Sequence, residues 1–137
     1  MISVLDTGFL YALFDCDDLH HTDVLRTMAA YRGRIILPVA AITEVAYLVK
    51  RNLGIEALVV FLESLTEVEY EFEMPTANDL VRSAEILRIY QDANLDFVDV
   101  SIFAMAERMG ITKILTVDPR HFSMFRPSHC NAFEILP

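Results

Sequence analysis

Apolar and polar residues alternate along this chain in two rhythms, short unbroken or period-two runs that suit strands and longer runs of period 3.6 that suit helices. ISVL (2–5) is a short buried strand, and Asp6-Thr7 then lead into the apolar helical run GFLYALF. DCDDLHH is a polar break, followed by a helix to about Tyr31, a stop at Gly33 and a second strand, RIILP. From Val39 to Asn52, Ile42, Val45, Ala46, Leu48 and Val49 set one helical face, with Thr43, Glu44, Tyr47, Lys50 and Arg51 on the other. Gly54 ends that helix and another amphipathic one covers about 55–66.

VEYEFEM (68–74) alternates strictly, as a strand with one wet face at a sheet edge does. Thr76 with Asp79 forms a capping box that starts a helix to about Ala93, and Asp96 with Asp99 repeats the device before VSIFAMAERMG. KILTV is a buried strand ending in Asp118, Pro119 starts a short helix through about Phe125, and AFEILP adds a last strand. Apolar strands alternating with helices predict an α/β fold with a mostly parallel sheet. Ligands of such sheets sit beyond the carboxyl ends of the strands, where strand order reverses. Two of the strands end in aspartate, Asp6 and Asp118.

At 137 residues and 54% hydrophobic, the chain is long enough for one domain, 1–137, that buries about two thirds of its unfolded surface. No run approaches the roughly 18 apolar residues of a membrane span, and the N-terminus has no basic leader, so a cytoplasmic location is expected. Cys16 and Cys130 suggest neither a disulfide framework nor redox chemistry. Twenty acids against eleven bases give a net charge of −9, which argues against binding nucleic acid through overall charge.

The acids carry the candidate chemistry. Asp6 stands among apolar neighbours at a strand-to-helix junction, either as a helix cap or as a metal ligand. Glu44 lies on the polar face of its helix, less than two turns beyond RIILP, so it sits near the same sheet edge. Asp99 falls inside the apolar helix FVDVSIFAMA, where Asp96 as cap and Asp99 at the third position are both favoured by the helix dipole. Asp118 precedes a proline-started helix, with Thr116 on the same side of the strand. Several acids meeting at one edge repel each other and remain ionised only with divalent cations among them. Oxygen ligands without His or Cys select Mg²⁺ or Mn²⁺, and such a site can activate water for phosphodiester hydrolysis.

These residues resemble the PIN-domain family and, within it, the VapC-type toxins of prokaryotic toxin–antitoxin pairs. The resemblance runs through VLDTGFLYALFD, ITEVAYLVKR, LDFVDVSIFAMAERMGITKILTVDPRHF and the closing FEILP, with the third segment the most specific. It implies a three-layer α/β/α sandwich and a Mg²⁺- or Mn²⁺-dependent endoribonuclease that cuts transfer or ribosomal RNA to inhibit translation. By position, the family's acids fall on Asp6, Glu44, Asp99 and Asp118, all present, with Asp96 as an accessory group or plain cap. Thr7 and Thr116 fall where the family often has a hydroxyl beside the acids. A VapB-type antitoxin and a homodimer are the implied partners.

Other residues are ambiguous. Arg120 and His121 follow Asp118 and either touch an RNA phosphate or anchor the turn; Lys50, Arg51 and Arg126 are further candidate phosphate contacts. His20 and His21 read as surface groups, and DCDDLHH lacks the glycine and glutamate of an EF-hand. Phe9, Tyr11, Phe14, Phe97 and Phe103 read as core or dimer interface in preference to base-stacking platforms. Setting aside Asp6, Glu44, Asp96, Asp99 and Asp118 leaves a residual charge of −4, so RNA affinity must come from a local patch, from metal–phosphate contacts or from shape. Two other functions compete: an aspartyl-phosphate chemistry on Asp6, disfavoured because no second Asp stands two residues on and Lys113 precedes its strand, and a catalytically silent binding module of the same fold.

Overall fold

The computed structural model describes residues 1–137. Along the chain run β1 (Ile2–Leu5), α1 (Thr7–Phe14), α2 (His21–Ala30), β2 (Arg34–Pro38), α3 (Val39–Leu53), α4 (Ile55–Ser64) and β3 (Tyr70–Glu73). There follow α5 (Ala77–Ile89), a 3₁₀ turn (Gln91–Ala93), α6 (Phe97–Met109), β4 (Lys113–Leu115), α7 (Pro119–Met124) and β5 (Glu134–Leu136). The five strands pair in the order β3-β2-β1-β4-β5, and every pairing is parallel. Each strand therefore needs a crossover to reach the next, and the helices that provide it cover both faces.

Period-two alternation divides the strand residues between two cores. Val4, Ile36 and Ile114 face α5, α6 and α7, packing with Ile86, Ile102, Phe103, Phe122 and Phe125. Leu5, Ile35, Leu37 and Leu115 face the other way, against Phe9, Val24, Val45, Val49 and Phe61 of α1–α4. The result is the expected three-layer α/β/α sandwich. Phe103 lies at the centre of the first core, stacked on Phe125 with ring centroids 4.2 Å apart and edge-on to Phe122 at 5.2 Å.

Local chemistry starts each helix where the sequence announces it. Thr76 accepts from the Asp79 N–H (3.1 Å) while Asp79 accepts from that of Thr76 (2.9 Å), and Asp96 and Asp99 exchange the same pair of bonds. In the DCDDLHH break, Asp15 and Asp18 accept from the backbone N–H groups of Asp17 and His20, as in a solvated turn. Between β1 and β2, Gly33 adopts φ +153°, and a Cβ there would meet the Met1 carbonyl oxygen at 2.6 Å, so only glycine allows this close approach.

The structure corrects several expectations. α5 stops at Ile89, short of Ala93: Tyr90 leaves the helix to pack on Phe125 (5.6 Å) and accept from the Arg126 N–H, and Asn94 turns the chain with a left-handed φ of 55°. β4 ends at Leu115 and not at Asp118, although the Thr116 N–H still donates to Leu136 O across the ladder. In the edge strand β3 the glutamates of the wet face are paired, Glu71 forked by Arg34 (both contacts 2.7 Å) and Glu73 meeting Arg108 (3.0 Å), and Phe72 on the other face is exposed as well. Supplied cations hold the acids down, and nothing covers the ring. His21 is tied in, its Nδ1–H donating to the Ala12 carbonyl at 2.6 Å.

The strand order reverses between the central strand, β1, and its neighbour β4. Their carboxyl ends form the switch point of the sheet, the place where an open α/β fold leaves a crevice. Because Phe103 touches three other buried rings on that side of the sheet, Phe103→Ala is expected to cost about 3–5 kcal/mol. A urea unfolding curve checks this by a fall in midpoint at unchanged slope.

Candidate active site

Asp6 leaves β1 at the switch point. Its N–H donates to Leu115 O (3.1 Å), which keeps the backbone on the sheet, and its Oδ1 accepts from the Phe9 N–H (2.9 Å) as the N-cap of α1. Its second oxygen, Oδ2, accepts a 2.5 Å bond from the Thr116 hydroxyl at the end of the neighbouring strand. Thr116 in turn accepts from the Asp118 N–H (3.1 Å), so one buried hydroxyl fixes both the first acid and the turn that carries the last. Asp6 is thus a helix cap and a member of an acid cluster at once.

Asp118 caps α7, and Asp99 stands at the third position of α6, one turn inside its cap Asp96. Glu44 projects from the second turn of α3, which begins directly at the end of β2. Four separate segments therefore deliver carboxylates to one place. Asp6, Thr7, Gly8, Glu44, Asp96, Asp99, Asp118 and His121 line a cleft of about 280 Å³ at the carboxyl edge of the sheet, with Val98 and Phe122 as its apolar wall.

The electrostatics carry the mark of that crowding. Burial pushes the Asp6 carboxyl up to about 6, the Thr116 and Phe9 hydrogen bonds resist the rise, and the charges of Asp99 and Asp118 add to it. Asp99 also rises to about 6, mainly through burial, opposed by the Asp96 N–H and reinforced by the Asp96 charge, with His121 pulling down. Glu44 is raised by burial and then by Asp96, while the Thr7 hydroxyl beside it favours its charge. That hydroxyl is buried and makes no hydrogen bond of full geometry. Asp6 thus feels Asp99 and Asp118, while Asp96 bears on both Asp99 and Glu44, so the acids form one linked set.

An arginine and a histidine of the chain itself already sit on this cluster. Arg120 grips Asp118 with both arms (2.9 and 2.7 Å) and holds its carboxyl down at about 2, and His121 Nδ1 lies 3.2 Å from Asp99. No three of the acidic, imidazole and thiol side chains converge to the reach of a single ion in this arrangement. The Arg120 side chain is 82% exposed, however, and an ion pair so wet is worth about 0–1 kcal/mol, so it opens at little cost. A set of carboxylates, three of them acids whose ionisation burial opposes, and a buried hydroxyl without a hydrogen-bond partner among them fit a hard divalent cation.

Of the other candidates, Lys50 and Arg51 stand further along α3, outside the cleft, with Arg51 lying 5.7 Å over the Tyr47 ring. Arg126 bonds the Ser123 carbonyl. Lys113 sits at the start of β4, paired with Glu134 at 2.8 Å, at the opposite end of the strand from Asp6, which removes the cation an aspartyl-phosphate would need. Cys16 and Cys130 are free thiols away from the cleft. Sequence reasoning passed over Gly8: a Cβ there would come within 3.0 Å of Val117 and 4.0 Å of Asp6 Oδ1, so its absence lets α1 start close against the acid. The signal was visible, since a glycine in the first turn of an apolar helix needs a packing reason.

Comparison with known proteins agrees with this geometry. Residues 3–125 match the family profile described as PIN domain. The chain is 28% identical over 134 residues to ribonuclease VapC26 of Mycobacterium tuberculosis, spanning 98% of this chain and 99% of that protein. Among solved structures, it resembles Mycobacterium tuberculosis VapC20, described as a Sarcin-Ricin loop cleaving toxin, with a TM-score of 0.80 at 23% identity, covering 87% of this chain and 92% of that one. It also resembles Rickettsia felis VapBC2 bound to a promoter DNA fragment, with a TM-score of 0.73 at 16% identity over 100% of both chains. At such identities the two structures speak for the fold alone. With a profile match that spans most of its length, and with acids gathered at the switch point of its parallel sheet, this chain belongs to the PIN domain family.

Proposed function

We propose that this protein is a divalent-cation-dependent endoribonuclease of the VapC toxin type, restrained by a VapB-type antitoxin. The observation that carries the reading is the cleft in which Asp6, Glu44, Asp99 and Asp118 arrive from four separate segments. Full-length similarity to a protein named a ribonuclease supports it. In this reading Asp6, Glu44, Asp99 and Asp118 hold Mg²⁺ or Mn²⁺, with Asp96 as an accessory group or plain cap. A bound ion of this kind supplies charge neutralisation at a phosphodiester and a water of lowered pKa. Thr116 keeps Asp6 and the Asp118 turn in register, and Thr7 steadies Glu44.

Arg120 and His121 are the groups that give way to the cation, and once freed they stand beside the cleft to meet a phosphate. The proposed substrate is transfer or ribosomal RNA, with an effect on translation; the description of VapC20 as a Sarcin-Ricin loop cleaving toxin supports the ribosomal choice, and the VapBC2 neighbour supports a paired antitoxin. No helix is long and apolar enough to cross a membrane. A homodimer and a cytoplasmic location complete the proposal. The second reading, a silent binding module, draws on the fact that each of Asp6, Asp99 and Asp118 already has a partner within the chain. Binding of Mn²⁺ separates the two.

Incubated with total transfer and ribosomal RNA and MgCl₂, the protein is expected to yield discrete cuts. Asp6→Asn and Asp99→Asn should each lower the rate at least about a hundredfold while the circular dichroism spectrum is unchanged. Undiminished cutting by both variants would refute the assignment.

A stability measurement gives an independent check. Asp6 and Asp99 are raised above their unfolded values, so the stability they contribute is present below about pH 4, declines as pH climbs through about 6 and is absent at pH 7.5. For Asp6 the rise from 3.8 to about 6 is worth on the order of 2–3 kcal/mol. Asp118 runs the other way, its contribution being lost as pH falls from about 4 to about 2. The metal-free protein is therefore expected to melt several degrees higher at about pH 5.5 than at about 7.5. MnCl₂ should raise Tm strongly at the higher pH and weakly at the lower, because protons compete for the same oxygens. Asp6→Asn keeps a good helix cap and loses the charge, so its metal-free Tm at the higher pH should exceed the wild type's while its response to Mn²⁺ falls away. A wild-type Tm indifferent to Mn²⁺ at both pH values favours the silent module.

A further inference from the structure

Next to the acid cleft lies a second recess of about 450 Å³, lined by Ala40, Thr43, Glu44, Tyr47, Phe97 and Val98. Glu44 and Val98 belong to both, so the two recesses share a wall. Tyr47 is 65% exposed and Phe97 49%, two aromatic rings at the lip of a hollow that neither core fills. Of the core or interface role expected for Phe97 from its spacing, the core role does not describe it here. As the first residue of α6 it lies outside both buried clusters.

Along α3 the order is acid, aromatic, cation. Glu44, Tyr47 and Arg51 are spaced three and four residues apart, so they form one stripe on the helix surface about 10 Å long. Arg51 stands over the Tyr47 ring at 5.7 Å, so the cation marks the end of the stripe away from the acids. A strand of nucleic acid with one phosphate at the acid cleft would carry its adjoining base over the recess and its next phosphate toward Arg51.

We propose that this recess is a nucleobase site, in which Tyr47 and Phe97 stack on the base next to the scissile phosphate; it rests on the ribonuclease reading above. The size suits one small planar ligand. Stacking also answers the problem of charge: a chain of net −9 gains little from long-range attraction to RNA, whereas the π-face of a base is bound without regard to charge. Because Glu44 and Val98 form the wall between this recess and the acid cleft, whatever fills the recess lies against the acids, and RNA is the occupant to which the geometry points.

The test uses the full chain carrying Asp6→Asn, so that RNA is bound and not cut, with MgCl₂ and short single-stranded RNAs in which 2-aminopurine replaces one base at a time. Their sequence is that around the cut found in the total-RNA assay. Fluorescence should be quenched at one position beside that cut. Adding Tyr47→Ala or Phe97→Ala should abolish the quench and raise Kd at least about fivefold, while Tyr47→Phe and Phe97→Tyr retain both. On the wild-type background, the alanine variants should raise KM by a similar factor with kcat changed less than about twofold. Normal cutting by wild type with Kd, KM and fluorescence indifferent to both alanine changes overturns the base site and leaves the ribonuclease standing. Alanine variants that turn a dimer into a monomer on sedimentation, with no quench in the parent protein, assign the recess to a second copy. Failure of the wild type to cut any RNA removes both proposals together.

Discussion

Two parallel strands that lie side by side in the sheet but far apart in the chain, β1 and β4, end at the same edge, and one threonine ties their ends together. Thr116 donates to Asp6 and accepts from the Asp118 backbone, so the acid after β1 and the acid after β4 are placed by a single buried hydroxyl. The rest of the structure serves that juxtaposition. The alternating strands bury one apolar set under α1–α4 and another under α5–α7, which clamps the sheet from both sides. With the sheet held, the capping box of α6 brings in Asp99, and the start of α3 at the end of β2 brings in Glu44.

That arrangement stores unfavourable charge. Asp6, Asp99 and Glu44 all resist ionisation because burial denies them water and their neighbours share their sign. A fold optimised for stability alone would replace them with apolar or amide groups. Instead the chain holds Arg120 against Asp118 through a contact that solvent weakens, with the His121 ring beside Asp99. The cost in stability has its source in that crowding of buried carboxylates.

Much of this was legible beforehand because it depends on local chemistry. The capping boxes at Thr76 and Asp96, the proline start of α7 and the apolar runs of β1 and β2 each state their structure within a few residues, and the elements formed where the runs placed them. Misreadings arose where a distant partner decided the outcome. VEYEFEM offered an apolar and a charged face, but Arg34 and Arg108, far away in sequence, engaged the glutamates and left Phe72 to solvent. The pull of Phe125 on Tyr90 ended α5 early, and no helix propensity could announce it. Phe97 had the spacing of a core or interface residue, and the fold leaves it half exposed.

By itself, the amino-acid sequence determined the class of fold, the number and order of its elements and the identity of the acids, since hydrophobic periodicity and helix caps are properties of neighbouring residues. Only the tertiary structure decided that strand order reverses between β1 and β4, and hence that Asp6 and Asp118, 112 positions apart in the chain, face one cleft. It likewise decided which acids feel each other, that Arg120 and His121 lie on them, and that two aromatic rings stand open beside Glu44. Electrostatic coupling and solvent exposure depend on distances through space, and a linear order of residues does not contain them.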